Sequence, residues 1–482
     1  DPIRGRLIND ITGEVITLRD RECSIGRNKA CDVTLGFDTI SRLHAVIAFR
    51  NKGFMIFDTN SKAGVTVNGE MIKKKANIYD GDRVGFGGLE YTLSVNKFKY
   101  IKDKSVRIAR PSYFLLLILI SVYNLIELLL TSFPNGKFEF LVASAFLGMI
   151  ILMWGYYFLA SLFMRITSFE LESVAFLFAS TGLGIVASIY PDGALKQFFA
   201  IVIGVLGFCL LLTLLRFIDA IKIIRYIVAV GAIGLLAVTL VIAEPTNGAL
   251  SWVNVGGVSL QPSELVKVAF IFVGAVTLER LQSVRHLTLY MIFAAVCVVE
   301  LFFMYDFGAA LIFFFTFIVI AFMRSGDIRT IMLICIGAAL GAVLIIMFKP
   351  YVAARFSGYL HIWENMDTTG YQQTRTLIYS ASGGLFGLGL GNGKLRNIFA
   401  AAEDLVFGVV CEEFGMIMGF LIPVTFILIA VATVINSQKS KSTFYAISGV
   451  AAISLLLFQS MLNIFGVTDL LPLTGVTLPF SS

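Results

Sequence analysis

The sequence is poor in the residues that build soluble enzymes, metal sites and disulfide frameworks. Of its 482 residues only 15% are charged and three are histidine, whereas 57% are hydrophobic and the mean hydropathy is +0.85. Typical soluble chains are about 25% charged and about 45–50% apolar. The six cysteines lack the spacing of zinc ligands or of a disulfide framework. These shortages argue against a metal site and predict a membrane protein.

The net charge of +6 does not indicate a nucleic-acid partner, because the charges lie mostly in one N-terminal block and in short loops between apolar runs. Residues 97–111 contain six Lys or Arg residues and one Asp. A basic segment just before a first membrane span belongs on the cytoplasmic side. We therefore expect the charge to set membrane topology, with no nucleic acid as partner.

Apolar runs of roughly 17–25 residues, the length that a bilayer requires, recur from residue 112 onward. The predicted spans are 113–131, 138–162, 171–190, 197–216, 223–243, 264–282, 288–305, 308–323, 330–348, 405–435 and 443–466. The sequence thus predicts an all-α polytopic bundle of about eleven spans. With the N-terminus inside, the short outer loops hold only Lys137 and Lys196, as the positive-inside rule requires. Two larger segments, 244–263 and 349–404, then face outward.

Residues 1–97 predict a separate all-β sandwich, because short β-branched and aromatic runs alternate with Gly, Asn and Asp clusters. The stretches "SIGRNKACDVTL", "ISRLHA" and "NSKAGVTVNG" in this block resemble the forkhead-associated (FHA) domain. That resemblance implies a fold whose loops bind a phosphothreonine protein. Arginine and hydroxyl donors on loops suit a phosphate group.

By this resemblance Arg27 and Ser41 would hold the phosphate. The full set of expected phosphopeptide-binding residues is Arg27, Ser41, Arg42, Ser61 and Asn68. His44 is expected to brace the loops. The family usually has Asn-Gly where this chain has Ala63-Gly64, so a domain that no longer binds phosphate stays an alternative.

The membrane region resembles the SEDS family (shape, elongation, division and sporulation), which includes RodA, FtsW and SpoVE. Five ordered stretches carry the likeness: "NGALSWVNVGGVSLQPSELVKVA", "YDFGAAL", "GYQQTRTLIYSASGGLFGLGLGNG", "DLVFGVVCEEFG" and "NIFGVTDLLPLTGVTLPF". The family polymerises lipid II into glycan strands, and a class B penicillin-binding protein then cross-links them. The resemblance therefore implies a peptidoglycan glycosyltransferase with these two partners.

Asp404 matches the aspartate that the family requires, so it is the candidate general base. A helix-capping role is its structural alternative. The residues expected to contact substrate are Glu264, Lys267, Arg355, Tyr371, Gln372, Arg375, Lys394 and Arg396. No cofactor is indicated with certainty, and a divalent cation at the substrate pyrophosphate is left open. The family usually reads Pro-Glu-x-His-Thr before the aspartate, whereas this chain has "AAAE".

Glu412 and Glu413 lie inside the predicted span 405–435, about 12 Å beyond Asp404 at 1.5 Å per residue. We expect them to pair with buried polar groups and support the helix. Glu264 and Lys267, one turn apart, are expected to form an ion pair. Whether that pair serves packing or places Lys267 near pyrophosphate is open on sequence alone.

The predicted organisation is an FHA domain in residues 1–97, a basic linker in 98–111 and a SEDS-type glycosyltransferase in 112–482. Two other functions stay open: a flippase or transporter of lipid-linked precursors, and a non-catalytic scaffold. The division, elongation or sporulation role is not determined. Because the chain starts at Asp1 rather than Met, we expect a trimmed N-terminus, and the resemblance implies one more span beyond Ser482.

Overall fold

The computed structural model divides the chain into two compact units, Asp1–Arg110 and Pro111–Ser482. It describes residues 5–18, 22–28, 31–50, 53–59, 61–72, 74–95, 113–132, 138–164, 169–215, 224–243, 249–255, 258–279, 284–325, 329, 332, 335–336, 359–438, 440 and 442–481. The predicted order, a β-sandwich followed by a helical membrane bundle, is confirmed. The predicted span 330–348 falls almost entirely outside the described residues.

The described residues of the first unit form eleven strands. They are β1 (Gly5–Asn9), β2 (Val15–Leu18), β3 (Glu22–Gly26), β4 (Val33–Thr34), β5 (Ala45–Arg50), β6 (Gly53–Asp58), β7 (Val65–Val67), β8 (Glu70–Met71), β9 (Lys75–Ile78), β10 (Arg83–Phe86) and β11 (Leu89–Val95). One sheet has the order β2-β1-β11-β10-β7-β8 and the other β4-β3-β5-β6-β9. Alternate side chains such as Leu7, Ile56 and Leu93 are fully buried, as the two-residue period of a strand requires.

Helices make up the second unit. They are α1 (Tyr113–Thr131), α2 (Phe140–Leu159), α3 (Glu170–Ile189), α4 (Ala194–Leu215), α5 (Arg225–Ile242), α6 (Pro262–Glu279), α7 (Val284–Phe303), α8 (Phe307–Ser325), α9 (Tyr371–Ser382), α10 (Val406–Glu413), α11 (Met416–Gln438) and α12 (Thr443–Val467). Among the described residues, seven helical segments are long and apolar enough to cross a membrane. A short hairpin of β12 (Val253–Val255) and β13 (Val258–Leu260) precedes α6.

Helix α12 is central to the helical unit, because it packs against α6, α8 and α11. A buried cluster that includes residues of α6, α8 and α12 is rich in aromatic rings, with Phe270 and Phe313 at 4.9 Å between ring centroids. Helix-to-helix packing of this kind fixes the positions of polar side chains within the bundle. The polar residues of α12 therefore have defined neighbours on the helices that surround it.

The predicted span 405–435 is not one helix. Helix α10 ends at Glu413, and α11 starts at Met416 after Gly415, whose φ is +88°. A left-handed conformation is strained for residues with a Cβ. In addition, a Cβ on Gly415 would lie 2.3 Å from the carbonyl oxygen of Leu385. The left-handed backbone at Gly415 ends the helical path, and the missing Cβ permits the close approach of the Leu385 backbone.

Candidate active site

Lys267 is a buried cation near the start of α6, and its side chain is only 6% exposed. Its Nζ donates to Oε1 of Glu264 at 2.6 Å and to Oε1 of Gln459 at 2.9 Å. The side chain of Glu264 is 48% exposed. A buried ammonium requires such partners, because desolvation of an unpaired charge is costly. The expected ion pair of α6 is therefore present, with a partner on α12 that the sequence reading missed.

The C-terminal loop, defined here as residues 468–481, follows α12 and folds back along it. Gln459 donates through Nε2 to the carbonyl of Thr477 at 3.1 Å. Asn463 donates through Nδ2 to the carbonyl of Val476 at 2.7 Å. The same Nδ2 donates to the carbonyl of Asp404 at 2.9 Å. Two amides on one helix thus contact the loop, the lysine of α6 and the segment before α10.

Asp404 is partly exposed and lies in the turn before α10. Its backbone N–H donates to the carbonyl of Ala400 at 3.0 Å. The helix cap position is Leu405, one residue further along the chain. A Cβ built on Gly475 would lie 3.6 Å from Oδ2 of Asp404, so the carboxylate borders the C-terminal loop. The loop thereby contacts the Asp404 segment and, through Gln459, the Lys267–Glu264 pair.

Glu412 hydrogen-bonds to backbone N–H groups, whereas Glu413 hydrogen-bonds to a hydroxyl on a neighbouring helix. The carboxylate of Glu412 accepts from the N–H of Lys394 at 2.7 Å and of Leu395 at 2.9 Å. Oε2 of Glu413 accepts from the hydroxyl of Ser188 on α3 at 3.2 Å. Both glutamates are almost fully buried. The geometry differs from the expected long-helix arrangement because α10 is short.

The glycine-rich run before Lys394 packs on the carboxyl end of α10. The N–H of Leu388 donates to the carbonyl of Glu412 at 2.9 Å, and that of Gly389 to the carbonyl of Glu413 at 3.0 Å. These bonds satisfy carbonyls that a helix end leaves unpaired. A Cβ on Gly393 would lie 2.8 Å from Oε2 of Glu412, so this glycine allows close packing.

The other expected substrate residues lie on α9 and the segment after it. The guanidinium of Arg375 lies 5.5 Å from the ring centroid of Tyr371, a cation–π distance. Gln372 donates to the carbonyl of Phe399 at 3.0 Å. Lys394 and Arg396 are exposed, and Arg396 donates to the carbonyl of Gly391. Arg355 lies outside the described residues.

The sequence analysis did not predict Asp306 at the site. The residue lies between α7 and α8, close to α6. Its Oδ1 accepts from the N–H of Ala309 at 2.9 Å, and its Oδ2 from Gln261 at 3.1 Å. Burial raises the pKa of Asp306, and the positive charge of Lys267 opposes that rise. The carboxylate caps α8 and ties it to the residue before α6.

In the β-sandwich, the loops after β3 and before β5 bring several expected residues together. The N–H of Arg27 donates to the carbonyl of Ser41 at 2.9 Å, and the hydroxyl of Ser41 accepts from the N–H of Lys62 at 3.0 Å. The guanidinium of Arg27 pairs with Asp38 at 2.7 Å. His44 is fully buried and contacts Ser41 N at 3.1 Å and the carbonyl of Gly64 at 3.0 Å. It braces two loops, as expected.

The remaining expected phosphopeptide residues have different surroundings. The carbonyl of Arg42 accepts from the N–H of Asn28 at 3.0 Å. The N–H of Ser61 donates to Asp58 at 3.1 Å. The amide of Asn68 donates to Asp82 at 2.9 Å. Asn68 has a φ of 50° in the turn between β7 and β8, so its side chain is engaged in holding that turn.

Three amides near the site were missed from the sequence: Gln373, Gln459 and Asn463. Gln373 on α9 is buried and donates to the carbonyl of Gly466 at 3.1 Å. The available signal was the run "FQSMLN", which places two amides four residues apart in an apolar helix. Such residues share one face of a helix and need hydrogen-bonding partners inside a membrane.

Comparison with known proteins agrees with the family resemblances stated for both parts of the chain. The family model for cell cycle proteins, covering FtsW, RodA and SpoVE, matches residues 189–482, and the FHA domain model matches residues 23–87. The probable peptidoglycan glycosyltransferase FtsW of Buchnera aphidicola subsp. Acyrthosiphon pisum is 31% identical over 53% of this chain and 67% of its own length.

The stage V sporulation protein E of Bacillus subtilis is 30% identical over 49% of this chain and 66% of its own length. A solved structure from a study of phosphothreonine-dependent FHA domain interactions covers 20% of this chain and 98% of its own, at 26% identity and a TM-score of 0.19. The family match extends over more than half of the chain. The protein belongs to the FtsW, RodA and SpoVE family of cell cycle proteins and carries an FHA domain.

Proposed function

We propose that this multi-pass membrane protein polymerises lipid II into peptidoglycan glycan strands. The observation that carries the proposal is the position of Asp404, whose partly exposed carboxylate borders the C-terminal loop. The same loop is bonded to Gln459, the partner of Lys267. A candidate base and a cation are thus joined through one segment. The relatives named peptidoglycan glycosyltransferases support this chemistry.

In the proposed reaction Asp404 accepts the proton of the acceptor sugar hydroxyl. The acceptor oxygen forms a bond to the donor sugar as the bond to the lipid pyrophosphate breaks. The pyrophosphate leaves with the electron pair, and nearby cations stabilise its charge. Lys394 and Arg396 are exposed and suited to that contact. Lys267, which pairs with Glu264 at 2.6 Å, is the further cation that the site holds in a fixed position.

The remaining substrate contacts are assigned by the same proposal. Tyr371, Gln372 and Arg375 on α9, with Arg355, would contact the lipid-linked sugar or its pyrophosphate. The described residues contain no group of three acidic, His or Cys side chains that could hold a metal ion. A divalent cation bound to the substrate pyrophosphate would neutralise part of its charge.

For the N-terminal unit we propose a phosphothreonine-binding role through Arg27, Ser41, Arg42, Ser61 and Asn68. Arg27 and Ser41 lie within one hydrogen-bonded loop pair, which supports a joint contact with phosphate. Residues 1–97 would be this domain, 98–111 a basic linker and 112–482 the glycosyltransferase. The basic composition of the linker supports a cytoplasmic FHA domain, and the proposed topology has Asp404 on the outer face.

A class B penicillin-binding protein is the proposed cross-linking partner. The test is lipid II polymerisation by the full-length protein in proteoliposomes, with and without that partner. We expect glycan strands on gels, resolved from unreacted lipid II. Movement of lipid II across the bilayer without strands would indicate a flippase. Absence of both, with the transpeptidase still bound, would indicate a scaffold.

A further inference from the structure

The C-terminal loop is held by two buried amides that also contact the charged groups of the candidate site. Gln459 is 4% exposed and Asn463 is 2% exposed. We propose that Gln459 and Asn463 are positioning residues, which fix the C-terminal loop between Lys267 and Asp404 and so set the separation of these two groups. This inference rests on the proposed function and adds two residues to it.

The geometry of α12 explains why two amides can do this. Residues four apart lie on one face of a helix, about 6 Å apart along its axis. Gln459 uses both ends of its amide, because Oε1 accepts from Lys267 at 2.9 Å and Nε2 donates to Thr477 at 3.1 Å. Rotating the amide would break both bonds. The orientation of Gln459 is therefore determined.

Asn463 acts at the other end of the same loop. Its Nδ2 donates to the carbonyls of Val476 at 2.7 Å and of Asp404 at 2.9 Å. A single nitrogen thus joins the loop to the backbone of the candidate base. Since both carbonyls come from non-helical segments, a side chain is a suitable donor for them. Displacement of the loop would alter the position of Asp404.

The opposite side of the loop is closed by the start of α8. A Cβ on Gly308 would lie 2.2 Å from Cγ2 of Val476 and 3.2 Å from the carbonyl oxygen of Thr474. Gly475 has a φ of +69°, a conformation that glycine adopts readily. The loop is consequently packed against α8 on one side and bonded to α12 on the other. It has little room to shift while these contacts last.

The consequence for catalysis follows from positioning. Base and cation act on one substrate, and a displacement of about 1 Å can reduce a rate about 100-fold. Loss of either amide contact should therefore lower kcat. It should leave KM nearly unchanged, because Lys394 and Arg396 on a separate segment remain available for substrate. A purely structural role would instead lower the amount of folded protein without this kinetic split.

Two variants test the amide contacts, and a third variant is their control. Gln459→Glu keeps an oxygen toward Lys267 and loses the donor to Thr477. Asn463→Asp loses both donated bonds. Ser460→Ala is the matched control, because Ser460 is buried on the same helix and its hydroxyl bonds only to the carbonyl of Leu456 among the hydrogen bonds seen in the described residues.

The measurements are hydrogen–deuterium exchange of peptides covering residues 468–481 and the kinetics of lipid II polymerisation. For Gln459→Glu and Asn463→Asp we expect exchange to rise at least about tenfold in the loop, and kcat to fall about 10–100-fold with KM within about twofold. Ser460→Ala should match wild type in both measurements.

Wild-type kcat in Gln459→Glu would overturn the proposal, because only the bond to Lys267 would then matter. Unchanged loop exchange in both variants would also overturn it. If Asn463→Asp does not fold, Gln459→Glu decides alone, since glutamate has nearly the same shape as glutamine. A wild type without polymerase activity would refute the proposed function and the kinetic role together, while the exchange data would still report whether the amides hold the loop.

Discussion

The carboxylate of Glu412 accepts a hydrogen bond from the backbone N–H of Leu395 at 2.9 Å. A side chain of α10 therefore holds the segment that carries Lys394 and Arg396, two of the proposed pyrophosphate contacts. Hydrogen bonds to a charged group contribute more than neutral ones. Glu412 thus links the short helix after Asp404 to the exposed cations.

Replacing Glu412 by Gln should destabilise the protein by about 1–3 kcal/mol. The amide oxygen would still accept from one of the two N–H groups of Lys394 and Leu395, but the N–H₂ group would face the other donor, and the charge assistance of both bonds would be lost. The midpoint of thermal unfolding in detergent measures this effect. Glu403→Gln is the control, because Glu403 is exposed. Equal midpoints for the two variants would contradict the role of Glu412.

Gly415→Ala should lower the unfolding midpoint clearly. The residue has a φ of +88°, and an added Cβ would lie 2.3 Å from the carbonyl oxygen of Leu385. Strain of this kind costs about 1–3 kcal/mol before the steric overlap is counted. Gly231→Ala in α5 is the matched variant, since a Cβ there has no atom within 4 Å. Its midpoint should stay equal to wild type or rise, and a larger loss there than at Gly415 would refute the argument.

Lys267→Met should reduce the polymerisation rate about 100-fold, by analogy with the loss of one electrostatic donor in a preorganised site. Glu264→Gln should have a smaller effect, because Glu264 is half exposed and Gln459 still contacts Lys267. Initial rates at saturating lipid II test this order. The reverse order would show that the carboxylate, not the cation, matters to the reaction.

Arg27→Ala should weaken binding of a phosphothreonine peptide about tenfold to 100-fold, as expected from about 1.5–3 kcal/mol for a hydrogen bond to a charged group. Asp38→Asn should strengthen it modestly, because Asp38 pairs with Arg27 at 2.7 Å. Fluorescence anisotropy with the full-length protein measures both, using a phosphothreonine peptide taken from the substrates of a co-expressed kinase.

The control for phosphopeptide binding is Arg6→Ala, since Arg6 is exposed on β1. Its affinity should equal that of wild type. Equal affinities for phosphorylated and unphosphorylated peptide in the wild type would mean that the domain does not read phosphate. The Ala63-Gly64 departure from the usual FHA pattern would then be the place to look for the cause.

Much of the architecture was predictable, because strand alternation and long apolar runs are properties of consecutive residues. The break between α10 and α11 was not. Gly415 stands in an apolar stretch, and hydropathy averaged over a span does not show that Leu385 approaches it. Knowledge of that contact requires the fold.

The site was predictable in part. Asp404, Glu264 and Lys267 came from motifs, and the ion pair followed from a three-residue spacing. The partners of these residues did not follow, because Gln459 lies 192 positions from Lys267 and no local pattern joins them. Long-range pairing of amides inside a membrane is set by packing, which a single sequence does not reveal.

The most direct test of the central claim compares Asp404→Asn with Glu403→Gln in lipid II polymerisation. The two carboxylates are adjacent, and only Asp404 is assigned a role in proton transfer. We predict that Asp404→Asn loses about 100-fold or more in kcat, the range for general base catalysis, while Glu403→Gln retains the wild-type rate. Equal activity in Asp404→Asn and wild type, with both proteins folded, would contradict the assignment of Asp404 as the base.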